Sequence, residues 1–273
     1  MSDRHVPVIT FLSDYGPWDE FVGVCHAVIA RRAPRARIID LGHGIARQDV
    51  RSAAVALRAV LPYTPVGVHL AVVDPGVGSG RRAVALRVGD DGRTMVGPDN
   101  GLLTLAAEQL GGVVEAVDIG ESPECLRPIS ATFQGRDVFA PVAAALADGV
   151  ALDALGEPVA VGELVALSLP RAQRDGDTLI AHVLSTDVYG NLSLDAASEL
   201  AVAAGMRAGV ALVVEVGETV TIGHVGHAFA DVPPGELLAY IDARGALAIA
   251  INGGSAADVL AAGLDTELSL RPV

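Results

Sequence analysis

Hydrophobic and polar positions follow two different patterns along the chain, and the first covers roughly its N-terminal 150 residues. There, short apolar runs rich in Val and Ile alternate with segments of helical periodicity. The predicted strands are 6–12, 37–41, 66–73 and 113–119, with a hairpin formed by 82–88 and 94–97. The predicted helices are 19–32, 48–61, 101–110 and 137–149. Strands that alternate with helices indicate a mostly parallel sheet with helices on both faces.

The second pattern begins after residue 150. Segment 155–177 has no helical periodicity and carries scattered Pro and Gly, which is typical of a linker. Closely spaced apolar runs follow, with one helix predicted near 195–204. The predicted strands here are 178–186, 210–217, 218–225, 236–242 and 246–251. Short strands separated by turns favour a sandwich or barrel. We therefore predict an α/β domain at 1–165 and a small β-barrel-like domain at 176–273.

Composition narrows the class of protein. The chain has 273 residues, enough for two domains, and its formal net charge of −14 would repel the phosphates of nucleic acid. Two cysteines in unrelated contexts suggest no disulfide framework and fit a reducing cytoplasm. The N-terminal apolar run is too short for a signal peptide, and Pro or charge breaks every apolar stretch before about 18 residues. We expect a cytoplasmic protein with no membrane or nucleic-acid partner.

The glycine-rich segment "DPGVGSGRR" follows the predicted strand 66–73, so a phosphate-binding loop is one interpretation. A dinucleotide fingerprint would need glycine at position 81 and a helix after it. Arg81 and a predicted strand stand there instead. The Gly-Lys-Ser/Thr of a Walker loop is also missing from this segment. The phosphate interpretation is therefore disfavoured.

Carboxylates provide a second interpretation, because several lie in or after predicted strands. These residues are Asp14, Asp40, Asp74 and the pair Asp99-Asn100. In an open parallel sheet, the carboxyl ends of the strands meet at one crevice where ligands bind. Ordinary turn chemistry explains any one of these residues alone, but the group predicts a polar site. Such a site suits a ligand with hydroxyls or positive charge, or Mg²⁺.

Histidine spacing does not predict a zinc site. His224 and His227 are three apart in or beside a predicted strand, so they point to opposite faces. His26 follows Cys25 in the first predicted helix, where a structural role is expected. We therefore expect no bound metal.

Six ordered segments carry a resemblance that spans nearly the whole chain. They are "ITFLSDYGPWDEFVG", "VVDPGVGSGRR", "VGPDNGLL", "ATFQGRDVFAP", "STDVYGNLSL" and "FADVPPGELLAYIDARGALAIAINGGSA". The chain thereby resembles the S-adenosylmethionine hydroxide adenosyltransferases, relatives of the S-adenosylmethionine-dependent fluorinase and chlorinase. The resemblance implies an N-terminal α/β domain, a C-terminal β-barrel and a homotrimer with active sites between subunits.

The implied reaction is attack of water or hydroxide on the 5′ carbon of S-adenosylmethionine, giving adenosine and methionine. The sulfonium is already a good leaving group, so no cofactor or metal is expected. The implied catalytic residues are Asp74, Arg81 and Gln134. Gln134 stands where the family carries histidine, and an amide cannot take a proton at neutral pH. Fluorinating relatives carry Tyr-Pro in place of Asp74-Pro75, which favours water over halide here.

The resemblance also implies a substrate-binding set. It comprises Asp14, Asn100, Asp187, Tyr189, Asn191, Phe229, Tyr240, Ala243, Arg244, Asn252 and Gly253. Within it, Asp14 matches the carboxylate that binds the ribose hydroxyls. Tyr189 and Phe229 match the aromatic residues that sandwich adenine, and Asn191 matches the amide that reads its edge.

The methionine portion would be held by Asp187 at its ammonium and by Arg244 near its carboxylate. Ala243 stands where the fluorinase has serine, and Gln48 where the fluorinase has a ribose-pocket aromatic. Three alternatives stay open at this point: a halogenase of the same superfamily, a non-catalytic binder of S-adenosylmethionine or adenosine, and a carboxylate metal hydrolase.

Overall fold

The structure, a computed structural model, describes residues 6–273 and divides into two compact units, Met1–Leu167 and Ser168–Val273. The first unit is an α/β domain with a sheet that contains parallel strands, and the second is a β-barrel. The predicted fold class is therefore confirmed. Residues 1–5, which fall within the predicted first domain and the N-terminal segment considered above, lie outside the described residues.

The N-terminal unit is built on one seven-stranded sheet. Its strands are β1 Val8–Ser13, β2 Arg37–Gly42, β3 Val68–Val72, β4 Ala83–Val88, β5 Arg93–Pro98, β6 Val113–Asp118 and β7 Glu157–Pro158. The spatial order is β2-β1-β3-β5-β4-β6-β7. Neighbours from β2 to β5 pair in parallel, whereas β4, β6 and β7 pair antiparallel. Strands β1 and β3 are buried along their whole length, as expected for central strands covered on both faces.

Four helices pack on this sheet. They are α1 Phe21–Arg32, α2 Val50–Val60, α3 Thr104–Gln109 and α4 Ala140–Ala147. Helices α1 and α4 pack together, as do α2 and α3. Asp49 caps α2, where its carboxylate accepts the Ser52 N–H at 2.9 Å. Helix α4 follows a π-helical turn at Gly135–Phe139, so helical structure begins before the predicted position and ends earlier than predicted.

The C-terminal unit is a closed barrel with one extra strand. Its strands are β8 Gln173–Asp175, β9 Thr178–Thr186, β10 Leu192–Ala197, β11 Ala211–Val216, β12 Thr219–Val225, β13 Leu237–Ile241, β14 Ala246–Ile251 and β15 Glu267–Pro272. Pairing between β9 and β10 closes seven strands into a ring, and β8 pairs beside β9. Alternate side chains of the strands fill the barrel interior, among them Leu194, Val214 and Ile249.

Several predicted boundaries were wrong. Strands β10 and β15 and the short helix α6, Ala256–Val259, were not predicted. The helix predicted at 195–204 is α5, Ser198–Ala203, because residues 195–197 belong to β10. The helix predicted at 101–110 begins only at Thr104. The predicted linker contains β7 and β8. No helix within residues 6–273 is long and apolar enough to cross a membrane.

Candidate active site

Two carboxylates lie at the carboxyl ends of neighbouring parallel strands, Asp14 after β1 and Asp74 just beyond β3. The Asp14 N–H donates to the Val72 carbonyl at 3.4 Å, which joins the two strand ends. The Asp14 carboxylate accepts the backbone N–H of Gln48 at 2.9 Å. Gln48 has a φ of 64°, a left-handed conformation that costs a non-glycine residue on the order of 1 kcal/mol. The strained backbone of Gln48 therefore places a hydrogen-bond donor against the Asp14 carboxylate.

Asp74 forms a two-point ion pair with Arg81. The Arg81 Nε donates to Asp74 Oδ1 at 2.8 Å, and Nη2 donates to Asp74 Oδ2. Both side chains are largely shielded from solvent, with exposed fractions of 7% for Asp74 and 11% for Arg81. The guanidinium also lies over the Phe139 ring, 5.3 Å from its centroid. Paired donors in a buried site fix the orientation of the carboxylate before any ligand arrives.

Arg81 also binds Gln134, the third predicted catalytic residue. Arg81 Nη2 donates to Gln134 Oε1 at 2.5 Å, so the three side chains form one hydrogen-bonded chain. A guanidinium has donors only, so the amide must present its oxygen to Arg81 and its NH₂ group away from it. Arg81 Nη1 donates to the Arg82 carbonyl at 3.2 Å. Of the five Arg81 N–H bonds, about one is left for a ligand after the bonds to Asp74, Gln134 and Arg82.

The glycine-rich loop brings Arg81 back to Asp74. Gly78 has a φ of 76°, and a Cβ there would lie 2.6 Å from the Ala131 carbonyl oxygen. Only glycine fits both the backbone conformation and this contact. The Ser79 hydroxyl donates to the Gly76 carbonyl at 2.6 Å, and the hydroxyl oxygen accepts the Arg81 N–H at 3.3 Å. The loop is thus a tight turn whose internal bonds position the ion pair.

Tyr15 is a residue that sequence reasoning missed. A Cβ at position 135 would overlap the Tyr15 hydroxyl, so the tyrosine reaches the start of the π-helical turn that follows Gln134. Burial raises the pKa of Tyr15 far above its usual range, and the negative charges of Asp14 and Asp74 raise it further. The phenol therefore stays neutral near both carboxylates. In the sequence, the one indication of this role was that Tyr15 directly follows Asp14.

The side chain of Asn100, predicted to bind substrate, makes two hydrogen bonds within the protein. Its amide Nδ2 donates to the Val73 carbonyl at 2.9 Å, and its Oδ1 accepts the Leu102 N–H at 3.2 Å. Val73 immediately precedes Asp74, so Asn100 braces the end of β3. Its neighbour Asp99 is buried and accepts from Arg82 Nε at 3.0 Å.

A cavity of about 670 Å³ opens beside this cluster within the N-terminal unit. Arg81 and Gln134 line it, together with Ser79 and the acidic residues Asp118 and Glu121. Asp14 and Asp74 are not among its lining residues. The cavity therefore borders the ion pair on the side of Arg81 and Gln134.

A second group of predicted residues surrounds a cavity of about 380 Å³ in the C-terminal unit. The predicted residues that line it are Asp187, Tyr189, Asn191, Phe229, Tyr240, Ala243 and Arg244. Ser185, Ser193 and Asp242 also line it and were not predicted. Ser193 was missed because its strand, β10, was itself not predicted.

The turn between β9 and β10 positions three of these residues. Asp187 Oδ1 accepts the N–H groups of Tyr189 and Asn191, each at 2.9 Å, and Oδ2 accepts Asn191 Nδ2 at 2.8 Å. Gly190 between them has a φ of 80°, and a Cβ there would overlap the Ser255 side chain. The carboxylate of Asp187 thus organises the turn from which Tyr189 projects.

Aromatic rings form the other wall of this cavity. Phe229 and Tyr240 pack edge to face with ring centroids 5.5 Å apart, while Tyr189 is 75% exposed. Burial and the carboxylates of Asp187 and Asp242 raise the pKa of Tyr240. Arg244 Nη1 donates to the Ser185 hydroxyl at 3.2 Å. The cavity therefore combines flat apolar surfaces with one cation and two carboxylates.

Two predicted residues of the C-terminal unit lie outside that cavity lining. Asn252 Nδ2 donates to the Val232 carbonyl at 2.7 Å, and its N–H donates to the Glu236 carbonyl at 3.0 Å. Gly253 follows with a φ of 74°. The structure gives Asn252 a bracing function for the loop before β13.

These features define a two-domain protein with an α/β domain that carries a partly buried Asp-Arg-Gln cluster and a barrel that carries an aromatic pocket. Residues 9–156 match the S-adenosylmethionine hydroxide adenosyltransferase N-terminal domain, and residues 181–269 match the C-terminal domain of the same family. The chain belongs to the S-adenosylmethionine hydroxide adenosyltransferase family, which confirms the resemblance stated above.

Relatives with assigned names agree with this membership. The chain is 46% identical over 254 residues to the (R)-S-adenosyl-L-methionine hydrolase of Salinispora tropica, covering 93% of this chain and 94% of that protein. It is 43% identical over 262 residues to the Thermus thermophilus protein of the same name, covering 92% and 94%. A fluorinase of Nocardia brasiliensis is more distant, at 27% over 285 residues, covering 92% of each chain.

Solved structures show the same fold. A conserved protein from Thermotoga maritima superposes with a TM-score of 0.89 at 36% identity, covering 96% of this chain and 99% of that one. A conserved protein from Thermus thermophilus superposes with a TM-score of 0.74 at 40% identity, covering 98% and 100%.

Proposed function

We propose that this protein hydrolyses S-adenosyl-L-methionine to adenosine and L-methionine. The observation that carries the proposal is the hydrogen-bonded cluster of Asp74, Arg81 and Gln134, found in a chain whose relatives at 43% and 46% identity are named (R)-S-adenosyl-L-methionine hydrolase. Those names specify one configuration at sulfur. We extend the proposal accordingly to preference for the (R) epimer.

In the proposed step, the oxygen of a water molecule attacks the 5′ carbon and the carbon–sulfur bond breaks. The bonding pair goes to sulfur, so the sulfonium becomes the neutral thioether of methionine. One water proton passes to Asp74 as the carbon–oxygen bond forms, and then to solvent, while the other remains on the 5′ hydroxyl of adenosine. Since the leaving group already carries positive charge, the step needs no cofactor or metal. Alignment of water opposite sulfur is the main task of the site.

Arg81 and Gln134 would have complementary functions in the proposed step. Arg81 is fixed by its bonds to Asp74 and Gln134, so its remaining Nη1 donor would orient the attacking water while that water loses a proton to Asp74. Gln134 turns its NH₂ group away from Arg81 and would donate to the water. Neither side chain can accept the proton at neutral pH, which leaves Asp74 as the base.

The aromatic cavity of the C-terminal unit would bind the rest of the substrate. Tyr189 and Phe229 would stack on adenine, and Asn191 would read its edge. Asp187 keeps lone pairs for the methionine ammonium beyond its three bonds within the turn, and Arg244 would bind the carboxylate. Asp14 in the N-terminal unit would accept from the ribose hydroxyls.

We further propose that the functional form is a homotrimer in which each site combines the Asp14 and Asp74 region of one protomer with the aromatic cavity of its neighbour. Support comes from the family architecture and from the composition of each cluster. The N-terminal cluster offers the proposed base and ribose carboxylate, whereas the aromatic residues predicted to hold adenine line the cavity of the C-terminal unit. The free buried cysteines, Cys25 and Cys125, suit the proposed cytoplasmic location.

One incubation series tests the reaction. The purified full chain is supplied with (S)-S-adenosylmethionine or with an epimer mixture, and adenosine, methionine and residual epimers are quantified. Parallel samples contain EDTA or chloride. We expect adenosine and methionine in a one-to-one ratio, faster loss of the (R) epimer, and no effect of EDTA.

Each alternative predicts a different result in that series. A halogenase would form 5′-chloro-5′-deoxyadenosine when chloride is present. A non-catalytic binder would retain substrate without product, detectable by calorimetry. Activity lost with EDTA and restored by Mg²⁺ would overturn the metal-free step.

A further inference from the structure

Three side chains from the first helix and second strand converge at a point that the proposed hydrolysis does not use. His26 lies in α1, Asp40 in β2 and His43 just after β2. Their nitrogen and oxygen atoms all lie within 4.8 Å of one another. Asp40 Oδ1 is 2.9 Å from His26 Nε2 and 3.1 Å from His43 Nε2. Two imidazoles and a carboxylate therefore face one another. Sequence spacing missed this cluster because its members are 14 and 3 residues apart in different elements.

The ring of His43 is held in one orientation. Its Nδ1 lies 2.8 Å from the hydroxyl of buried Ser13, and that hydroxyl also accepts the Tyr15 N–H at 3.3 Å. The ring packs edge to face on Phe11, with centroids 4.7 Å apart. These contacts direct Nε2 toward Asp40. A histidine that binds metal through one ring nitrogen usually donates a hydrogen bond from the other nitrogen.

The Nε2 atom of His43 is buried and has no hydrogen-bond partner among residues 6–273. Asp40 Oδ1 is near it but is not aligned for a hydrogen bond. If Nδ1–H donates to Ser13, Nε2 carries a lone pair that faces a carboxylate oxygen. The lone pairs of His43 Nε2 and Asp40 Oδ1, 3.1 Å apart, then repel each other, and a cation bound by both atoms would remove that repulsion. This unpaired nitrogen is an observation independent of the clustering itself.

We propose that His26, Asp40 and His43 bind a divalent transition-metal ion of the zinc type. Imidazole nitrogen and carboxylate oxygen suit Zn²⁺ and Co²⁺, whereas Mg²⁺ prefers oxygen ligands alone. Donor atoms 2.9 and 3.1 Å apart can each lie about 2.0–2.2 Å from one ion. The side chains of His26 and Asp40 are 33% and 42% exposed, so the ion has an entry path and room for water as a further ligand.

The bound ion would join α1 to the end of β2. The carbonyl of His43 accepts the Gly16 N–H at 2.7 Å, so the same segment supports the chain just after Asp14. Metal should therefore raise thermal stability by mass action, since the unfolded chain does not hold the three ligands together. The site is separate from the proposed chemistry, in which Asp74 acts without metal.

The test uses tag-free full-length protein stripped of metal, titrated with Co²⁺ in the absence of S-adenosylmethionine. We expect one equivalent to bind, with visible absorption bands of a coordinated ion and displacement by Zn²⁺. His43→Asn replaces Nδ1 with an amide that can keep the Ser13 bond but removes Nε2. We expect it, His26→Asn and Asp40→Asn each to weaken Co²⁺ binding more than about tenfold. His224→Asn, an exposed histidine on β12, should leave binding unchanged.

Absence of binding up to millimolar Co²⁺ would overturn the proposal. So would equal binding by wild type and the three cluster variants, because another surface histidine would then be the ligand. Melting of each metal-free variant checks the fold, and any one folded variant of the three decides the question. Because binding is read without substrate, the result is independent of whether the protein hydrolyses S-adenosylmethionine.

Discussion

The two clusters of polar and aromatic residues differ in how far they are organised before a ligand arrives. Around Asp74, the charged side chains are largely shielded from solvent and bonded to each other, with exposed fractions of 7% and 11% for the ion pair. In the barrel, Tyr189 and Phe229 are 75% and 46% exposed, and the polar groups beside them are held by their own turn. The Asp74–Arg81 pair is therefore preorganised, as a group that takes part in chemistry must be. The exposed rings of the barrel contribute binding energy only when a flat ligand covers them.

The largest effect is expected from Asp74→Asn. Asparagine keeps the size of the side chain and one oxygen for Arg81 but is not a base. We expect kcat to fall at least about 100-fold with little change in KM, because only proton transfer is lost. Adenosine release measured by chromatography gives both constants. Asp90→Asn, in the exposed β4–β5 turn, is the matched control. Full activity in Asp74→Asn would show that Asp74 is not the base.

Tyr189→Ala tests the aromatic cavity of the C-terminal unit. Stacking of a base on an aromatic ring contributes about 1–3 kcal/mol, so we expect KM to rise roughly 5- to 150-fold with a smaller change in kcat. Tyr189→Phe should behave like wild type. Tyr63, which is 81% exposed in the N-terminal unit, provides the control Tyr63→Ala. An unchanged KM in Tyr189→Ala would contradict the adenine platform.

A complementation experiment tests whether the two clusters of one site come from different protomers. Asp14→Ala and Asn191→Ala chains should each be nearly inactive. When the two are co-expressed, about a quarter of the sites in a randomly assembled ring should combine an intact N-terminal cluster with an intact barrel. Activity and sedimentation of the purified mixture give the measurement. An active monomer, or no recovery from a mixed trimer, would refute shared sites.

The smallest effect is expected from Gln134→His. Histidine can keep a hydrogen bond to the water and adds a group that titrates near pH ~6.5. We expect the rate to change less than about tenfold and the pH–rate profile to gain an inflection that the wild-type enzyme lacks. Rates from pH 5 to 9 provide the comparison. A wild-type profile that already shows a histidine-like inflection would mean that another residue relays the proton.

Much of the fold could be predicted because turns delimit its strands clearly. Strands β9 and β14 have the predicted bounds, since polar or glycine-containing turns flank both apolar runs. Strand β10 was missed because its second half, which begins at Asp195, was assigned to the helix predicted near 195–204. That carboxylate is paired with His182 at 3.0 Å across the neighbouring strand, a contact that no local pattern reports.

The candidate site was predictable to a similar degree. Motifs brought Asp74, Arg81 and Gln134 together, and the structure adds the direction of their hydrogen bonds. Tyr15 and Asp242 were missed because their positions depend on packing between distant segments. The cluster of His26, Asp40 and His43 was missed for the same reason, since it requires the register of α1 against β2.

Gly190 has a consequence for how the specificity of this protein can change. Any side chain at that position would meet Ser255, which caps the short helix α6. The Gly190 carbonyl also accepts the Ala257 N–H at 3.0 Å. The turn is therefore a fixed frame, and its neighbours Tyr189 and Asn191 are the positions free to vary. A library directed at those two positions, with Gly190 and Ser255 kept, would explore new ligands without losing the frame that presents them.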